Sequence, residues 1–148
     1  MIQVAAVVGA GLVGGIYAAF STMVIPALAR LDNHDATAAM LLINRKAEHG
    51  PFILLFGSAT AAAIGLAISA IPRGGVTDMV IAGTSLASTI VTITISVPLN
   101  RQLAREGASF WAEYRRRWIT ANTLRAALAT TAVVIAGTHW ILTTESNA

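Results

Sequence analysis

Four stretches of the chain carry no charged side chain and consist mainly of apolar residues. Each is about 20 residues or longer, the length that an α-helix needs to cross a hydrocarbon core of roughly 30 Å. We predict membrane-spanning helices at about residues 2–29, 51–72, 79–100 and 122–144, the last beginning shortly before its uncharged stretch. No Lys or Arg precedes the first stretch, so it lacks the basic start of a cleaved signal peptide and we expect it to be retained.

Three polar connections join these stretches. Residues 30–50 open with turn-forming and cap-forming residues around Asp32 and continue with residues of good helix propensity, which predicts a short helix. Its apolar positions fall on one helical face: Ala39, Met40, Ile43 and Ala47. An amphipathic helix of this kind is typical of a membrane surface, so we expect a short interfacial helix in the first connection. Residues 73–75 predict a tight turn, and residues 101–125 form the third and most charged connection.

The basic residues are distributed unevenly among the connections. Of the ten Lys and Arg residues, nine lie in the first and third connections and only Arg73 lies in the second. Short cytoplasmic loops of membrane proteins are enriched in Lys and Arg, so the first and third connections should face the cytoplasm. The pattern predicts an all-α, multi-pass integral membrane protein. We expect an antiparallel four-helix bundle in the cell membrane, with the N- and C-termini on the non-cytoplasmic side.

The composition supports a membrane protein and excludes several kinds of site. Charged residues make up 11% of the chain, against about 25% in a typical soluble domain, and apolar residues make up 55%. The absence of cysteine excludes disulfides, thiolate metal sites, iron–sulfur clusters and thiol catalysis. The arginines lie beside the spans, so the expected partner of the basic residues is the lipid bilayer and no nucleic acid is expected.

Small residues recur along the first span. Gly11 and Gly15 form a GxxxG pair, and Ala10, Gly14 and Ala18 repeat small residues on a neighbouring stripe. Stripes of this kind let helices approach closely in lipid. The pattern is compatible with packing inside one bundle and also with contacts in a homo-oligomer.

The segment between residues 111 and 125 carries the most specific polar pattern in the chain. Trp111, Tyr114, Trp118, Asn122 and Arg125 follow one another at spacings of 3, 4, 4 and 3 residues. On a helix these five side chains form a seam within an arc of about 80°. An aromatic belt with snorkelling arginines explains aromatic residues near the lipid headgroups. It does not explain an amide and a guanidinium on the same face, and polar residues inside a membrane are candidates for a functional site.

Two further groups of polar residues extend this candidate site. The third span carries a hydroxyl face beside Asn100, and these hydroxyls either bond to the helix backbone or line a pocket with Asn100 at its mouth. In the first connection, Asn44 and Glu48 lie one helical turn apart, and His49 precedes the Gly-Pro that opens the second span. A histidine in this position is either a general base or an ordinary interfacial residue.

No metal or haem site is predicted. Asp32, His34 and Asp35 are close in sequence, but a turn and a helix cap explain them more simply. The chain has no pair of ligands spaced as in di-iron bundles. His49 and His139 fall at opposite ends of the predicted bundle, too far apart to hold one haem. We therefore expect no metal ligands and no bound cofactor.

Together, these features resemble those of the anthrone oxygenase-like family, which comprises small membrane proteins of bacteria and fungi. The resemblance extends over nearly the whole chain. It rests on Phe20-Ser21-Thr22 with Pro26-Ala27-Leu28, on Ile43-Asn44-Arg45, on Val97-Pro98-Leu99-Asn100 and on the seam from Trp111 to Arg125. One position differs, because the family often has Asn before the proline that opens the second span, whereas this chain has His49-Gly50-Pro51.

The resemblance implies an activity as well as four spans. Characterised relatives oxidise an anthrone to an anthraquinone with dioxygen as co-substrate and without an evident bound cofactor. By this likeness, we expect a cofactor-independent oxygenase that acts on an anthrone-like or other lipophilic aromatic molecule. The implied roles are a base for His49, oxyanion stabilisation for Asn44, Asn122 and Arg125, substrate contacts for Trp111, Tyr114 and Trp118, and the pocket mouth for Asn100.

A non-catalytic function explains the same sequence features. No motif in the chain requires catalysis, and the polar seam also suits recognition of a lipid headgroup, a lipophilic small molecule or another subunit. The alternative prediction is therefore a membrane partner subunit or a lipophile-binding module. A transporter is less favoured, since four spans leave little room for alternating access unless the protein oligomerises.

Overall fold

The computed structural model describes residues 1–145, which fold almost entirely into helices, with no strand among them. Four helical arms run through the molecule. The first arm comprises α1 (Ile2–Ala19), a π-helical segment (Phe20–Val24) and α2 (Ile25–Leu28), and α3 (Asn33–His49) connects it to the second arm, α4 (Pro51–Ala70). The third arm comprises α5 (Val76–Val91), a second π-helical segment (Thr92–Ser96) and α6 (Val97–Glu106), and the fourth is α7 (Trp111–Glu145).

Contacts between the arms show that they alternate in direction. Near the start of α1, the side chain of Gln3 donates to Asp78 of α5 (Nε2 to Oδ1, 2.8 Å) and accepts from Trp140 late in α7 (3.1 Å). Further along α1, the carbonyl of Tyr17 accepts from Asn122, early in α7 (2.7 Å). The first and fourth arms are therefore antiparallel, and the N-terminus lies at the same end as the start of α5.

Three helical stretches are long and apolar enough to cross a membrane: Ile2–Leu28, Pro51–Arg73 and Val76–Glu145. The last has 70 residues and contains both the third and fourth arms, because helical residues continue through the connection between them. The backbone of Gly107 in this connection has a φ of 66°, a left-handed value that suits glycine. Ser88 of α5 then donates to the carbonyl of Arg125 at 3.3 Å, which joins the two arms side by side.

The helices of the third and fourth arms are longer than the predicted spans. The third arm continues past residue 100 to Glu106, and α7 begins at Trp111, 11 residues before the predicted start at residue 122. Leu103 and Trp111 are buried in an apolar cluster, so these extensions are amphipathic helix that packs on protein. The predicted tight turn at residues 73–75 is confirmed, with Gly74 at a φ of 63°.

Each π-helical segment lies just before a proline. Pro26 and Pro98 have no backbone N–H, and a proline ring clashes with the carbonyl four residues earlier in a regular α-helix. A π-helical turn is wider and relieves this clash, and such turns occur frequently at functional sites. At both prolines, the distortion of the helix thus takes the form of a π-helical segment.

Helix α3 closes the end of the molecule at which the first and third connections meet. Asp32 caps it by accepting from the backbone N–H of Asp35 at 2.9 Å, which confirms the predicted helix cap. Ala36 and Met40 are fully buried in the cluster that also contains Leu99 of α6. The side chains of α3 that are buried are Ala36, Thr37, Met40 and Asn44.

Part of the apolar face predicted for this helix packs on protein. Met40 of that face is buried, and Ile43 packs partly buried against the same cluster. Contact of α3 with the membrane surface stays a prediction. The apolar side of α3 covers α6 and the start of α7, because those helices extend beyond the predicted spans and present apolar side chains of their own.

Close packing along the first arm uses glycines other than the GxxxG pair. A Cβ atom added at Gly9 would lie 2.8 Å from the Cβ of Ala59, and one added at Gly14 would lie 2.9 Å from that of Ala129. No atom lies within 4 Å of a Cβ added at Gly15. The small residues that permit contact between arms are thus Gly9 and Gly14, and a homo-oligomer contact at Gly15 stays a prediction.

Candidate functional site

An apolar cavity of about 540 Å³ lies between the arms, next to α3. This volume is within the range of about 300–1,000 Å³ that is usual for small-molecule sites. All four arms and α3 contribute to its wall. The apolar part of the wall includes Ile16, Phe20, Phe52, Phe56, Ile93 and Val97, and the polar part includes Asn44, Glu48, Ser96, Asn100, Asn122 and Arg125.

Arg125 provides a buried positive charge in this wall. Its side chain is 5% exposed, and its guanidinium lies 4.2 Å from the ring centroid of Tyr17 and 5.4 Å from that of Trp118. The Nη1 atom donates to Thr92 Oγ1 at 3.4 Å. Within residues 1–145, no carboxylate forms an ion pair with Arg125. Aromatic faces and neutral oxygens therefore stabilise a guanidinium that no described carboxylate neutralises.

Asn122 holds this guanidinium in place. The Asn122 side chain is 0% exposed, and its Nδ2 donates to the carbonyl of Tyr17 and to Ser21 Oγ, both at 2.7 Å. Its Oδ1 accepts from Arg125 Nη2 at 2.7 Å. Since both ends of the amide are bonded within the protein, Asn122 links α7 to the first arm and acts as a positioning residue.

Three residues that line the cavity also contain a buried polar atom without a hydrogen-bond partner within the described chain. These atoms are Ser96 Oγ, Trp118 Nε1 and Arg125 Nε, and each can donate a hydrogen bond. A further such atom, Thr37 Oγ1, belongs to a residue outside the wall, whereas the side chain of Asn44 has the Tyr114 hydroxyl as a partner. The three atoms are enclosed by protein and do not open onto the cavity, so a ligand reaches them only if the wall moves.

The charged residues of the wall other than Arg125 lie at its exposed edge. Glu48 and Lys46 both line the cavity and are exposed. Glu48 is the only acidic residue in the wall as described for residues 1–145. Asn44 lies one helical turn before Glu48 and is buried, so this face of α3 leads from solvent into the cavity.

The structure brings together five of the eight predicted site residues. Trp118, Asn122 and Arg125 of the seam line the cavity, and so do Asn44 and Asn100.

The other three residues lie outside the wall. Trp111 and Tyr114 are buried behind it, with their rings stacked at 5.7 Å, and the Tyr114 hydroxyl donates to Asn100 Oδ1 at 2.9 Å. His49 is exposed at the end of α3 and does not line the cavity. Trp111 and Tyr114 therefore support the wall from behind, and His49 does not face a molecule in the cavity.

Tyr17 is the main site residue that sequence reasoning missed. Its ring lies under the Arg125 guanidinium, its hydroxyl is 3.4 Å from Thr92 Oγ1, and Phe52 packs edge-on against it at 6.5 Å. A signal existed in the sequence, because Tyr17 and Ser21 are polar residues one helical turn apart inside the first uncharged stretch.

The hydroxyl face of the third span divides into a structural part and a part at the cavity. Ser85 donates to the carbonyl of Ile81 at 2.9 Å, and Ser88 donates to that of Arg125. Thr92 donates to the carbonyl of Ser88 at 3.1 Å and also lines the cavity, together with Ser96 in the same π-helical segment. Most of this face therefore bonds to helix backbone, and its last turn contributes to the site.

Replacing Asn122 by alanine is expected to lower the free energy of unfolding by about 1–2 kcal/mol. Individual interhelical hydrogen bonds in membrane proteins average about 0.6 kcal/mol and reach about 1.7. This change removes bonds to Tyr17, Ser21 and Arg125 together. Denaturant titration in detergent measures the effect, with Thr131→Ala, on the exposed face of α7, as the matched control. Equal stability of the two variants would show that Asn122 does not organise the site.

Comparisons of the chain with known protein families, with curated proteins and with solved structures give no match.

Proposed function

We propose that the protein crosses the cell membrane four times as an antiparallel four-helix bundle, with the interfacial end at α3 facing the cytoplasm. Three helical stretches of sufficient length and apolarity support this proposal, since one of them contains two arms. Shared burial of α3 with α6 supports a common end for the first and third connections, which hold nine of the ten Lys and Arg residues. The positive-inside rule then assigns that end to the cytoplasm and the termini to the opposite side.

We propose further that the cavity binds a flat, lipophilic molecule carrying an oxygen that is, or becomes, negatively charged. The buried guanidinium of Arg125, which lines the cavity and has no carboxylate partner among the described residues, carries this proposal. The guanidinium of Arg125 favours an anion there, and the aromatic rings of Phe52 and Phe56 suit a planar body.

The resemblance to the anthrone oxygenase-like family suggests the reaction. In this scheme a base removes a proton from the methylene carbon of an anthrone, and the electron pair moves onto the carbonyl oxygen. Dioxygen adds to the same carbon and forms a peroxide anion, which takes up the first proton to give a hydroperoxide. Loss of the second proton from that carbon forms the new carbonyl, breaks the O–O bond and releases hydroxide, which becomes water with this second proton. One anthrone and one dioxygen give one anthraquinone and one water, so no further reductant is needed.

We assign roles in this scheme to residues of the cavity wall. Glu48, as the acidic residue of the wall, is the proton acceptor, in place of His49, which does not line the cavity. Arg125 stabilises the oxyanion through its buried positive charge, because fixed charges in a dry site act most strongly where charge develops. Asn122 orients the guanidinium. This arrangement needs no bound cofactor.

A lipophile-binding module without chemistry is the second candidate. The exposure of Glu48 favours it, since a base that is open to solvent is not prepared for proton transfer in a dry site. The same cavity and the same donors then bind an acidic lipophile without reaction. A measurement of catalytic turnover distinguishes the oxygenase from the lipophile-binding module, whereas both candidates are expected to bind the lipophile.

The test is oxygen uptake by the purified protein in lipid nanodiscs supplied with an anthrone, with the anthraquinone followed by absorbance. We expect uptake faster than in empty nanodiscs, with equal amounts of anthraquinone formed and dioxygen consumed. Release of hydrogen peroxide in place of water would contradict the scheme. Uptake no faster than in empty nanodiscs, together with binding of the anthrone, would favour the non-catalytic module.

A further inference from the structure

The second and third arms separate beside the cavity. At the far end of the cavity the arms are in contact, with Thr60 Oγ1 and Thr89 Oγ1 3.2 Å apart. Towards α3, α4 no longer packs closely against the third arm, although it packs well against α5. In the part of the chain that the structure describes, no side-chain hydrogen bond or ring contact joins α4 to residues 92–106. Helix α4 and the π-helical segment Thr92–Ser96 are therefore separated by a gap.

The edges of this gap are apolar and face outwards. Ile53 on α4 and Ile93 on the π-helical segment both line the cavity, yet they are 44% and 59% exposed. Phe56 and Val97 continue the apolar surface into the cavity. A side chain that lines a cavity and is also exposed on the outside marks an opening. In the proposed bundle, this opening faces the acyl chains of the inner half of the bilayer.

Ring contacts close the corresponding spaces on both sides of the first arm. Phe20 packs against Trp118 of α7 with ring centroids 5.6 Å apart, and Tyr17 packs against Phe52 of α4 at 6.5 Å. The cavity has a second exposed edge at Lys46 and Glu48, but that edge is charged. A lipophilic molecule therefore meets an apolar opening on the bilayer side and a charged one on the water side.

We infer that the ligand reaches the cavity sideways from the bilayer, through the gap between α4 and the π-helical segment. The substrate is accordingly a molecule dissolved in the membrane and not one delivered from water. This inference rests on the proposed function, because it concerns access to the same cavity. A gap through which a ligand must pass sets the rates of its binding and release.

A reversible bridge across the gap tests the inference. The chain has no cysteine, so the double variant I53C/I93C carries only the two introduced thiols. Bis-methanethiosulfonate reagents of increasing length bridge the pair, and a reductant removes the bridge. The matched control is I68C/V80C, which joins the same two arms through exposed residues outside the wall. The readout is quenching of tryptophan fluorescence as 2-hydroxyanthraquinone, preloaded in vesicles, binds to the protein.

We expect the bridge at residues 53 and 93 to slow both binding and release by more than about tenfold, with full recovery on reduction. The bridge at residues 68 and 80 should change neither rate. Equal rates with and without the bridge at residues 53 and 93 would overturn lateral access and assign the route to the edge at Lys46 and Glu48. Absence of binding by the wild-type protein would instead refute the proposed function.

Discussion

Replacing Glu48 by glutamine is expected to lower kcat for anthrone oxidation by about 10²- to 10⁴-fold, the contribution that is typical of a general base. Glutamine keeps the size and polarity of the side chain but cannot accept the proton. Glu48 is the acidic residue among those described in the cavity wall, so no neighbouring carboxylate can replace it. The rate of anthraquinone formation in nanodiscs at saturating anthrone measures the effect.

The adjacent residue provides the matched control. His49 is exposed and does not line the cavity, so His49→Gln should oxidise anthrone at nearly the wild-type rate. If His49→Gln loses activity and Glu48→Gln keeps it, the proton acceptor is His49 and α3 presents a different face to the substrate. If both variants keep full activity, neither residue is the base.

Replacing Arg125 by glutamine is expected to lower kcat by about 10²- to 10³-fold, the effect of removing one donor to a developing oxyanion. The guanidinium supplies the buried positive charge of the site, and no described carboxylate is paired with it. Glutamine retains hydrogen-bonding capacity but carries no charge. The loss should therefore appear in kcat more than in KM, because the full negative charge exists only after proton removal.

Two further variants separate charge from folding. Arg117→Gln removes an exposed arginine from the same helix and should leave kcat unchanged. Arg125→Lys keeps the charge but cannot donate in the same fork to Asn122 and Thr92, so it should have intermediate activity. Thermal unfolding in detergent is measured for each variant. A folded Arg125→Gln protein with wild-type kcat would exclude Arg125 from the reaction.

The four arms could be predicted because length and apolarity are strong signals. A stretch such as residues 51–72 has few alternatives to a long apolar helix. The ends of the third and fourth arms could not be predicted in the same way. Residues 101–106 and 111–121 are too polar for a membrane span. The spacing of the seam favours a helix from residue 111, and burial of Leu103 and Trp111 against α3 accounts for the extension of both arms. That burial depends on tertiary contacts that the local pattern does not contain.

The site could be predicted in part because helical periodicity is local. Trp118, Asn122 and Arg125 lie within two helical turns, so one face necessarily carries them together. The full seam from residue 111 to residue 125 rises by about 21 Å along the helix, which is too long for one small cavity. Its first two residues, Trp111 and Tyr114, therefore lie in the apolar cluster beside α3.

The positions of His49 and Tyr17 relative to the site depend on packing that local sequence patterns do not contain. Asn44 and Glu48 share a face of α3 because they are four residues apart, whereas His49 is turned away by about 100°. Tyr17 lies in the site because Gly14 lets the first arm approach Ala129 of α7 closely. Which face of α1 meets α7 is decided by packing between distant segments, and the sequence of α1 alone does not determine it.

The central claim is that the buried guanidinium of Arg125, unpaired with any described carboxylate, binds a lipophilic oxyanion in an apolar cavity. The most direct test is a titration of the protein in nanodiscs with anthraquinone and with ionised 2-hydroxyanthraquinone, followed by tryptophan fluorescence, since Trp118 is in the wall. We predict that the ionised probe binds at least about tenfold more tightly, as expected for hydrogen bonds to a charged group, and that this preference disappears in Arg125→Gln. Equal affinity for the two probes, or a preference that survives in Arg125→Gln, would contradict the claim.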